Sequence, residues 1–315
     1  MIIYIIKRIG YAFITLWLIA TITFSLIHCL PGDPFASEKA IPPKIKAQLM
    51  KKYGLDKPLY VQYGIYMKNL AQGNLGISMR TRGRKVSSII AVHFPYSINI
   101  GLKALAFGIT FGLLMGIIAA LNRAKKWDTF SMLIAILGVS VPSFILAGLL
   151  QYLVVQFGTL TGLRLLPVAG YDGFSSTILP MLALGMLPVA MITRMMRASM
   201  IKVLGQDYIK TAKAKGVSST GIVFKHCLRN AIMPIITYLG PMVAAILTGS
   251  FVVEKIFAIP GLGKYFVESI YNNDYTVILG IVMFYATFLI AMILIVDISY
   301  GFIDPRIRIH AKKEG

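Results

Sequence analysis

Six long stretches without a charged side chain constrain the fold of this chain more than any other feature. They cover residues 9–30, 104–122, 129–163, 173–193, 230–253 and 275–296. A helix needs about 20 mostly apolar residues to cross the hydrocarbon core of a bilayer, so each stretch can span a membrane. The third is long enough for one helix plus a re-entrant or interfacial piece. Buried helices of soluble proteins seldom reach this length six times, and only 14% of the residues are charged. The sequence therefore predicts an all-α integral membrane protein with about six transmembrane helices.

The basic residues indicate the orientation of the chain. With the N-terminus in the cytoplasm, the inner segments hold Lys7, Arg8, Arg123, Lys125, Lys126, eight basic residues in 194–229, and Arg306, Arg308, Lys312 and Lys313. Cytoplasmic loops are rich in Lys and Arg. The same orientation places residues 31–96 outside the cytoplasm although they carry eleven basic and only three acidic residues, which conflicts with a simple count of basic residues. Loops longer than about 60 residues translocate largely regardless of charge, so we expect both termini to be cytoplasmic.

This topology predicts three parts of the chain. Residues 1–30 form the N-terminal cytoplasmic end and the first transmembrane helix, and residues 31–96 form an extracytoplasmic region. Residues 97–315 form a five-helix core that includes a cytoplasmic segment, 199–229. Cys29 and Cys227 would then lie on opposite sides of the membrane, so we expect no disulfide between them.

The chain lacks the sequence motifs of common enzymes. No Gly-x4-Gly-Lys-Ser/Thr phosphate loop and no His-Glu-x-x-His zinc motif occurs, and we predict no catalytic residue, metal site or cofactor. The second span can extend outward past Lys103 to about Ser97, and Lys103 and Asp297 are then the only charged residues within spans, both near span ends. A proton-driven carrier usually has more buried acids or bases. A separate chain is therefore the expected energy source.

The basic segment between the fourth and fifth stretches must lie outside the hydrocarbon, because each charge at a helix centre costs roughly 2.5 to 3.5 kcal/mol. Asp207 near the start of a helical pattern and Gly216 just after its end predict a short cytoplasmic helix over 207–215.

Two further patterns concern packing. Gly108, Gly112 and Gly116 place small residues on one helix face, which predicts close helix–helix packing. Residues 254–274 are expected to form an outer loop with a turn at 260–263, and the apolar side chains there predict that it packs back on the membrane helices. In the first outer region, a short helix is predicted from residue 44 to Tyr53, ending at Gly54.

An ordered set of short motifs resembles the dipeptide, oligopeptide and nickel permeases of binding-protein-dependent importers. The motifs cover nearly the whole chain: Leu30-Pro31-Gly32-Asp33-Pro34, Tyr53-Gly54-Leu55-Asp56-Lys57-Pro58, Gln62-Tyr63, Gly76-Ile77-Ser78, Asp207-Tyr208, Thr211-Ala212-Lys213-Ala214-Lys215-Gly216, Leu228-Arg229-Asn230-Ala231, Pro234, Glu254, Phe257, Pro260-Gly261-Leu262-Gly263 and Asp304-Pro305-Arg306. In importers generally the cytoplasmic loop carries a Glu-Ala-Ala, three residues, Gly, nine residues, Ile-x-Leu-Pro signature. Only Ala212, Gly216 and Leu228 match it here.

The resemblance implies the type I permease fold of ATP-binding-cassette importers and a multi-pass location in the bacterial cytoplasmic membrane. It implies four kinds of partner: a second homologous permease, two ATPase subunits, an extracytoplasmic substrate-binding protein and a peptide substrate. The residues expected to couple to the ATPase are Lys210, Thr211, Ala212, Lys213, Ala214, Lys215, Gly216, Leu228 and Arg229. Those expected to face the binding protein are Glu254, Phe257, Pro260, Gly261, Leu262 and Gly263.

Other functions remain open at this point. The same family includes permeases for nickel, and a metal chelate or a heme-like ligand is an alternative substrate. A proton-driven secondary transporter and a sensory or scaffold membrane protein are alternatives from other classes. The basic segment could also lie as an amphipathic helix on anionic lipid.

Overall fold

A computed structural model describes residues 2–29, 35, 42–81, 83–163, 165–247 and 251–303, with side chains described for 6–29, 35, 42–81, 83–163, 165–247 and 251–295. These residues are helical apart from turns and one isolated bridge between Ile77 and Lys85. The α-helices are α1 (Ile2–Cys29), α2 (Pro43–Tyr53), α3 (Leu59–Ala71), α4 (Val86–Leu121), α5 (Lys126–Ser140), α6 (Ser143–Thr161), α7 (Ile178–Leu204), α8 (Asp207–Ala214), α9 (Ser219–Gly221), α10 (Leu228–Ala231), α11 (Met233–Leu247), α12 (Phe251–Ile256), α13 (Leu262–Tyr271) and α14 (Tyr275–Ile303). A 3₁₀ turn covers Ser175–Thr177 and a π-helix covers Ile222–Cys227.

Six segments of the described chain are long and apolar enough to cross a membrane, as the sequence predicted. They are Ile6–Cys29, Val86–Leu121, Ser143–Thr161, Ser175–Leu204, Met233–Ile256 and Tyr275–Ile295. The second begins earlier than the apolar stretch suggested, and its helix is 36 residues long.

The third apolar stretch forms two helices, α5 and α6, as its length indicated. Val141 is extended between them, with φ −94° and ψ 117°, because a residue followed by proline disfavours the helical region. Pro142 then occupies the N-cap position of α6. With 15 residues, α5 is too short to span the membrane alone.

The chain divides into two compact units. The first consists of Met1–Tyr96 and Pro260–Gly315. Within it α1 packs along α14, and α13 also contacts α14. A core forms around the buried Phe24, Ile27 and Ile278, with the ring of Tyr66 stacked 5.7 Å from that of Phe24. Aromatic and aliphatic side chains at these helix faces thus hold the unit together.

The second unit is Ser97–Ile259, and α7 is its central helix. It contacts α5, α6, α10 and α11. The glycine stripe of α4 lies against α7. A Cβ added at Gly108, Gly112 or Gly116 would fall 2.3, 2.7 or 2.5 Å from the Cβ atoms of Pro188, Ile192 and Met196, respectively. No side chain larger than hydrogen fits at these positions without moving α7.

Two helix boundaries differ from the sequence-based expectation. α7 continues to Leu204 through residues predicted to lie beyond its span. Residues 254–274, predicted as an outer loop, contain the end of α12 and all of α13. On α13, Leu262 and Ser269 are buried and Phe266 is half-buried, which is a helical spacing that the nearby turn signal obscured. The predicted burial of this segment is confirmed for Phe257, Ile259 and Leu262.

Candidate coupling segment

Helix α8 begins and ends where its local sequence indicates. Asp207 places a carboxylate in the first turn, where the helix dipole favours negative charge. At the other end Gly216 has φ +77°. Its N–H donates to the Lys213 carbonyl at 3.0 Å, and the Val217 N–H donates to the Ala212 carbonyl at 3.2 Å. These two bonds form a Schellman motif, which glycine favours because it lacks a Cβ. The predicted short helix and its end at Gly216 are confirmed.

The two faces of α8 differ in exposure. Ile209 is 0% exposed and Ala212 is 8% exposed, so both lie against the chain itself. The exposed residues are Lys210, Thr211, Lys213, Ala214, Lys215 and Gly216. Of the two alanines among the residues expected to couple to the ATPase, only Ala214 is exposed to a partner.

Packed helices support α8 from behind. The π-helix Ile222–Cys227 contacts α8, and Ile222, Val223 and Cys227 are buried within it. Asn230 Nδ2 on α10 donates to the Tyr208 hydroxyl oxygen at 2.9 Å. Since α10 contacts both α7 and α11, contiguous packing joins the exposed face of α8 to two spanning helices.

The other residues predicted for coupling lie on α10. Leu228 is half-buried and Arg229 is exposed. Just before them, burial raises the pKa of the Cys227 thiol, and the charge of Lys213 acts in the opposite direction. We interpret Cys227 as a protonated packing residue.

The segment presents a basic surface. Residues 207–229 contain five basic residues and one acid, Asp207. Lys210 Nζ lies 2.8 Å from Asp207 Oδ1, but both side chains are exposed, so the pair adds little stability. This surface therefore favours an acidic partner.

A second polar feature joins α5 to α7, and the sequence did not reveal it. The Arg197 guanidinium binds both carboxylate oxygens of Asp128, with Nη2 to Oδ2 at 2.8 Å. The Ala124 N–H donates to the same Oδ2 at 2.9 Å, and Ala124 has φ +63°. The hydrogen bond from Arg197 holds the pKa of Asp128 at about 2 despite burial, which raises it. No local pattern could reveal this pair, because its members lie 69 residues apart.

The residues expected to face the binding protein are mostly interior. Glu254, Phe257, Gly261, Leu262 and Gly263 are buried, and Pro260 is half-buried. The exposed neighbours within this segment include Lys255 and Ala258. Any surface that the segment offers to a partner is therefore formed by these neighbours.

The described ionisable residues form no metal site. Among the described residues no group of three or more His, Cys, Asp or Glu side chains comes together. Lys103 donates to the Thr177 hydroxyl at 3.0 Å and lies 5.0 Å from the Phe174 ring centroid. The side chain of Asp297 and the 304–306 motif lie outside the described residues.

Two family models cover most of the chain. The binding-protein-dependent transport system inner membrane component matches residues 112–309, and the corresponding N-terminal component matches residues 1–100. The chain belongs to this permease family. Membership confirms the predicted all-α, multi-pass permease of the cytoplasmic membrane, which works in a binding-protein-dependent importer. It also confirms that this subunit is not an enzyme, since separate subunits hydrolyse ATP.

Relatives match over nearly their full length. The dipeptide transport system permease protein of Bacillus subtilis is 46% identical over 309 residues, which is 98% of this chain and 99% of the relative. The oligopeptide transport system permease protein of Haemophilus influenzae is 43% identical over 97% of this chain and 99% of the relative. That of Salmonella typhimurium is 38% identical with the same coverage.

Proposed function

We propose that this chain is one of two homologous permease subunits in an ATP-driven importer of dipeptides or oligopeptides. The observation that carries the substrate assignment is the 46% identity, over almost the entire length, to a dipeptide permease. Its other partners are two ATPase subunits and an extracytoplasmic substrate-binding protein.

The orientation in this proposal places both termini in the cytoplasm. Support comes from the basic residues of the α7–α11 connection, which would be costly inside the hydrocarbon and are typical of cytoplasmic segments. Six spanning helices between the termini agree with termini on one side.

Helix α8 is the element proposed to dock on an ATPase subunit. Its exposed basic face fits an acidic groove, and Ala214 lets a partner approach closely. The buried Ile209 and the hydrogen bond from Asn230 to Tyr208 fix α8 to the chain, so that a displacement of α8 moves the helices behind it.

The transport cycle follows from this coupling. ATP binding draws the two ATPases together, and the coupling helices transmit this motion to the spans. The pathway then opens alternately to each side, and hydrolysis resets it. On the outer side, residues 31–96 and the exposed parts of 254–274 receive the binding protein. The buried residues of 254–263 position that surface.

The docking assignment is tested by adding bulk to the exposed face of α8. Ala214→Trp should lower peptide uptake by at least tenfold in the assembled complex, because the side chain blocks close approach of the ATPase. Thr220→Trp is the control, since Thr220 is also exposed but lies in α9. Full uptake and ATPase retention with Ala214→Trp would contradict the assignment.

Substrate and energy source are tested in proteoliposomes that contain the whole complex. Labelled dipeptide and oligopeptide should accumulate with ATP and the binding protein, and excess nickel should not compete. Accumulation of nickel instead of peptide would support the metal permease. Peptide movement driven by a proton gradient, without the ATPases, would support a secondary carrier.

A further inference from the structure

A cavity lined by lysines lies in the first unit. Its volume is about 630 Å³, within the range of about 300–1,000 Å³ typical of small-molecule sites. Lys51, Lys52, Lys57 and Lys85 line it. Further lining side chains are polar and neutral: Asn69, Asn74 and Ser87. Such walls provide hydrogen-bond donors around a concentrated positive charge.

Among the described residues that line this cavity, no acidic side chain balances the positive charge of the lysines. Within the part of the chain that the structure describes, none of the four lysines forms a salt bridge, and no acidic side chain lines the cavity. The four lysines are exposed, and together they make the local electrostatic potential positive, which a bound anion would offset. The cavity therefore favours an anionic ligand.

The cavity lies at the ends of two spanning helices. Lys85 directly precedes α4, Ser87 belongs to its first turn, and Thr276 belongs to the first turn of α14. The Asp274 carboxylate already caps the N-terminus of α14, so of the two helices only α4 adds partial positive charge from its N-terminus to that of the lysines. With 36 residues α4 extends beyond the hydrocarbon, so here the boundary between hydrocarbon and headgroups is marked by the start of α14, where the apolar span Tyr275–Ile295 begins.

Counting spans along the chain assigns the side of the membrane. One span, Met233–Ile256, separates the connection between α7 and α11 from the start of α14 along the chain, and a chain that crosses the membrane once between two points places them on opposite sides. With α8 in the cytoplasm, as proposed above, the cavity faces the outer leaflet.

Helix α3 adds an apolar surface beside the cavity. Leu59 is 57%, Tyr60 78% and Ile65 40% exposed, and Ile65 also lines the cavity. Exposed aromatic and aliphatic residues next to basic residues are typical of helices that lie in the membrane interface. A ligand with both a negative head and an apolar tail fits this combination better than a free anion does.

We propose that this cavity binds the phosphate headgroup of an anionic phospholipid from the outer leaflet, with its acyl chains along the exposed side of α3. The assignment of the cavity to the outer leaflet rests on the proposed function, whereas the binding of an anionic lipid does not. Bound lipid would hold α2, α3 and the starts of α4 and α14 together in the region proposed to receive the binding protein.

The experiment compares two variants that remove the same charge. The purified complex, delipidated in neutral detergent, is titrated with short-chain phosphatidylglycerol while its melting temperature is measured. In K57Q/K85Q the half-saturating concentration should rise by on the order of tenfold, since each lysine near an anionic headgroup contributes to binding. The control K44Q/K68Q, whose lysines are exposed but do not line the cavity, should titrate like the wild type.

Four outcomes would overturn the proposal. In the first, K57Q/K85Q and K44Q/K68Q have the same half-saturating concentration of phosphatidylglycerol. In the second and third, short-chain phosphatidylcholine or inorganic phosphate raises the melting temperature of the wild type as much as phosphatidylglycerol does. In the fourth, K57Q/K85Q binds lipid like the wild type but is stimulated less by the binding protein. The last would assign the lysines to protein docking. Peptide uptake by the same complexes is measured separately, so a failure of the transport assignment is distinguishable from a failure of lipid binding.

Discussion

Each of the two units contains a buried aspartate that joins two segments of the chain. The two aspartates differ in the groups that donate hydrogen bonds to their carboxylates. Asp128 in the second unit is bound by the guanidinium of Arg197 and by one backbone N–H. Asp274 in the first unit accepts from neutral donors: the Ser78 hydroxyl and the N–H groups of Met79, Arg80 and Val277. One site is thus an ion pair, and the other is a negative charge held by dipoles.

The positions of the two side chains are otherwise similar. Asp128 is 4% exposed and Asp274 is 3% exposed. Asp128 lies in the first turn of α5, and Asp274 is the N-cap of α14, with Val277 N–H 3.3 Å from Oδ1. Both helices therefore offer positive dipole ends to the carboxylates. Only Asp128 has a charged partner. A substitution that removes the charge but keeps the shape should therefore destabilise the protein more at Asp128 than at Asp274.

The largest effect is expected from Asp128→Asn. The substitution keeps the shape but leaves the partly buried Arg197 without a counter-charge, which should lower the free energy of unfolding by about 3 kcal/mol. Thermal melts of the purified protein measure this loss. The double variant D128L/R197M should recover most of the stability, because it leaves no unpaired charge. If the double variant melts as low as D128N, the ion pair is not the reason for the loss.

A smaller effect is expected from acid. The folded pKa of Asp128 is about 2 and its ordinary value is 3.8, so its contribution is present above pH 3.8 and is lost as the pH falls towards 2. That contribution is about 2 kcal/mol. Melting temperatures at pH 6, 4 and 3 should therefore fall more steeply for the wild type than for D128N. Parallel curves would show that Asp128 does not titrate in this range.

The sequence could predict α8 but not the contacts of these aspartates, because the first depends on neighbouring residues and the second on residues far apart in the chain. Signals for α8 are local: an acid in its first turn and Gly216 after its end. Asp274 and Ser78 are 196 residues apart, so their contact depends on the packing of helices. The lysines around the cavity were counted in the sequence, but their convergence on one space was not predictable from their number.

The helix α13 was missed for a different reason. The Pro260-Gly261 turn signal led to the prediction of a loop that includes the residues after it. Gly261 is instead the N-cap residue of α13, and Lys264 and Glu268 lie one turn apart on it, 3.9 Å between Nζ and Oε1. A turn signal marks where a helix can begin as well as where a loop lies. Periodicity after the turn, rather than the turn itself, was the informative pattern.

The smallest effect is expected from Asp274→Asn. Asparagine caps helices about as well as aspartate, and the Ser78 hydroxyl can reverse its role to accept from the new amide. The Arg80 N–H loses a strong acceptor, so we expect a loss of about 1 kcal/mol in the free energy of unfolding. Asp274→Ala removes the acceptor for every donor and should cost at least twice as much. Thermal melts of both variants beside D128N test the comparison directly. A loss with D274N as large as that with D128N would mean that the negative charge itself, rather than the hydrogen-bond acceptors, stabilises both connections.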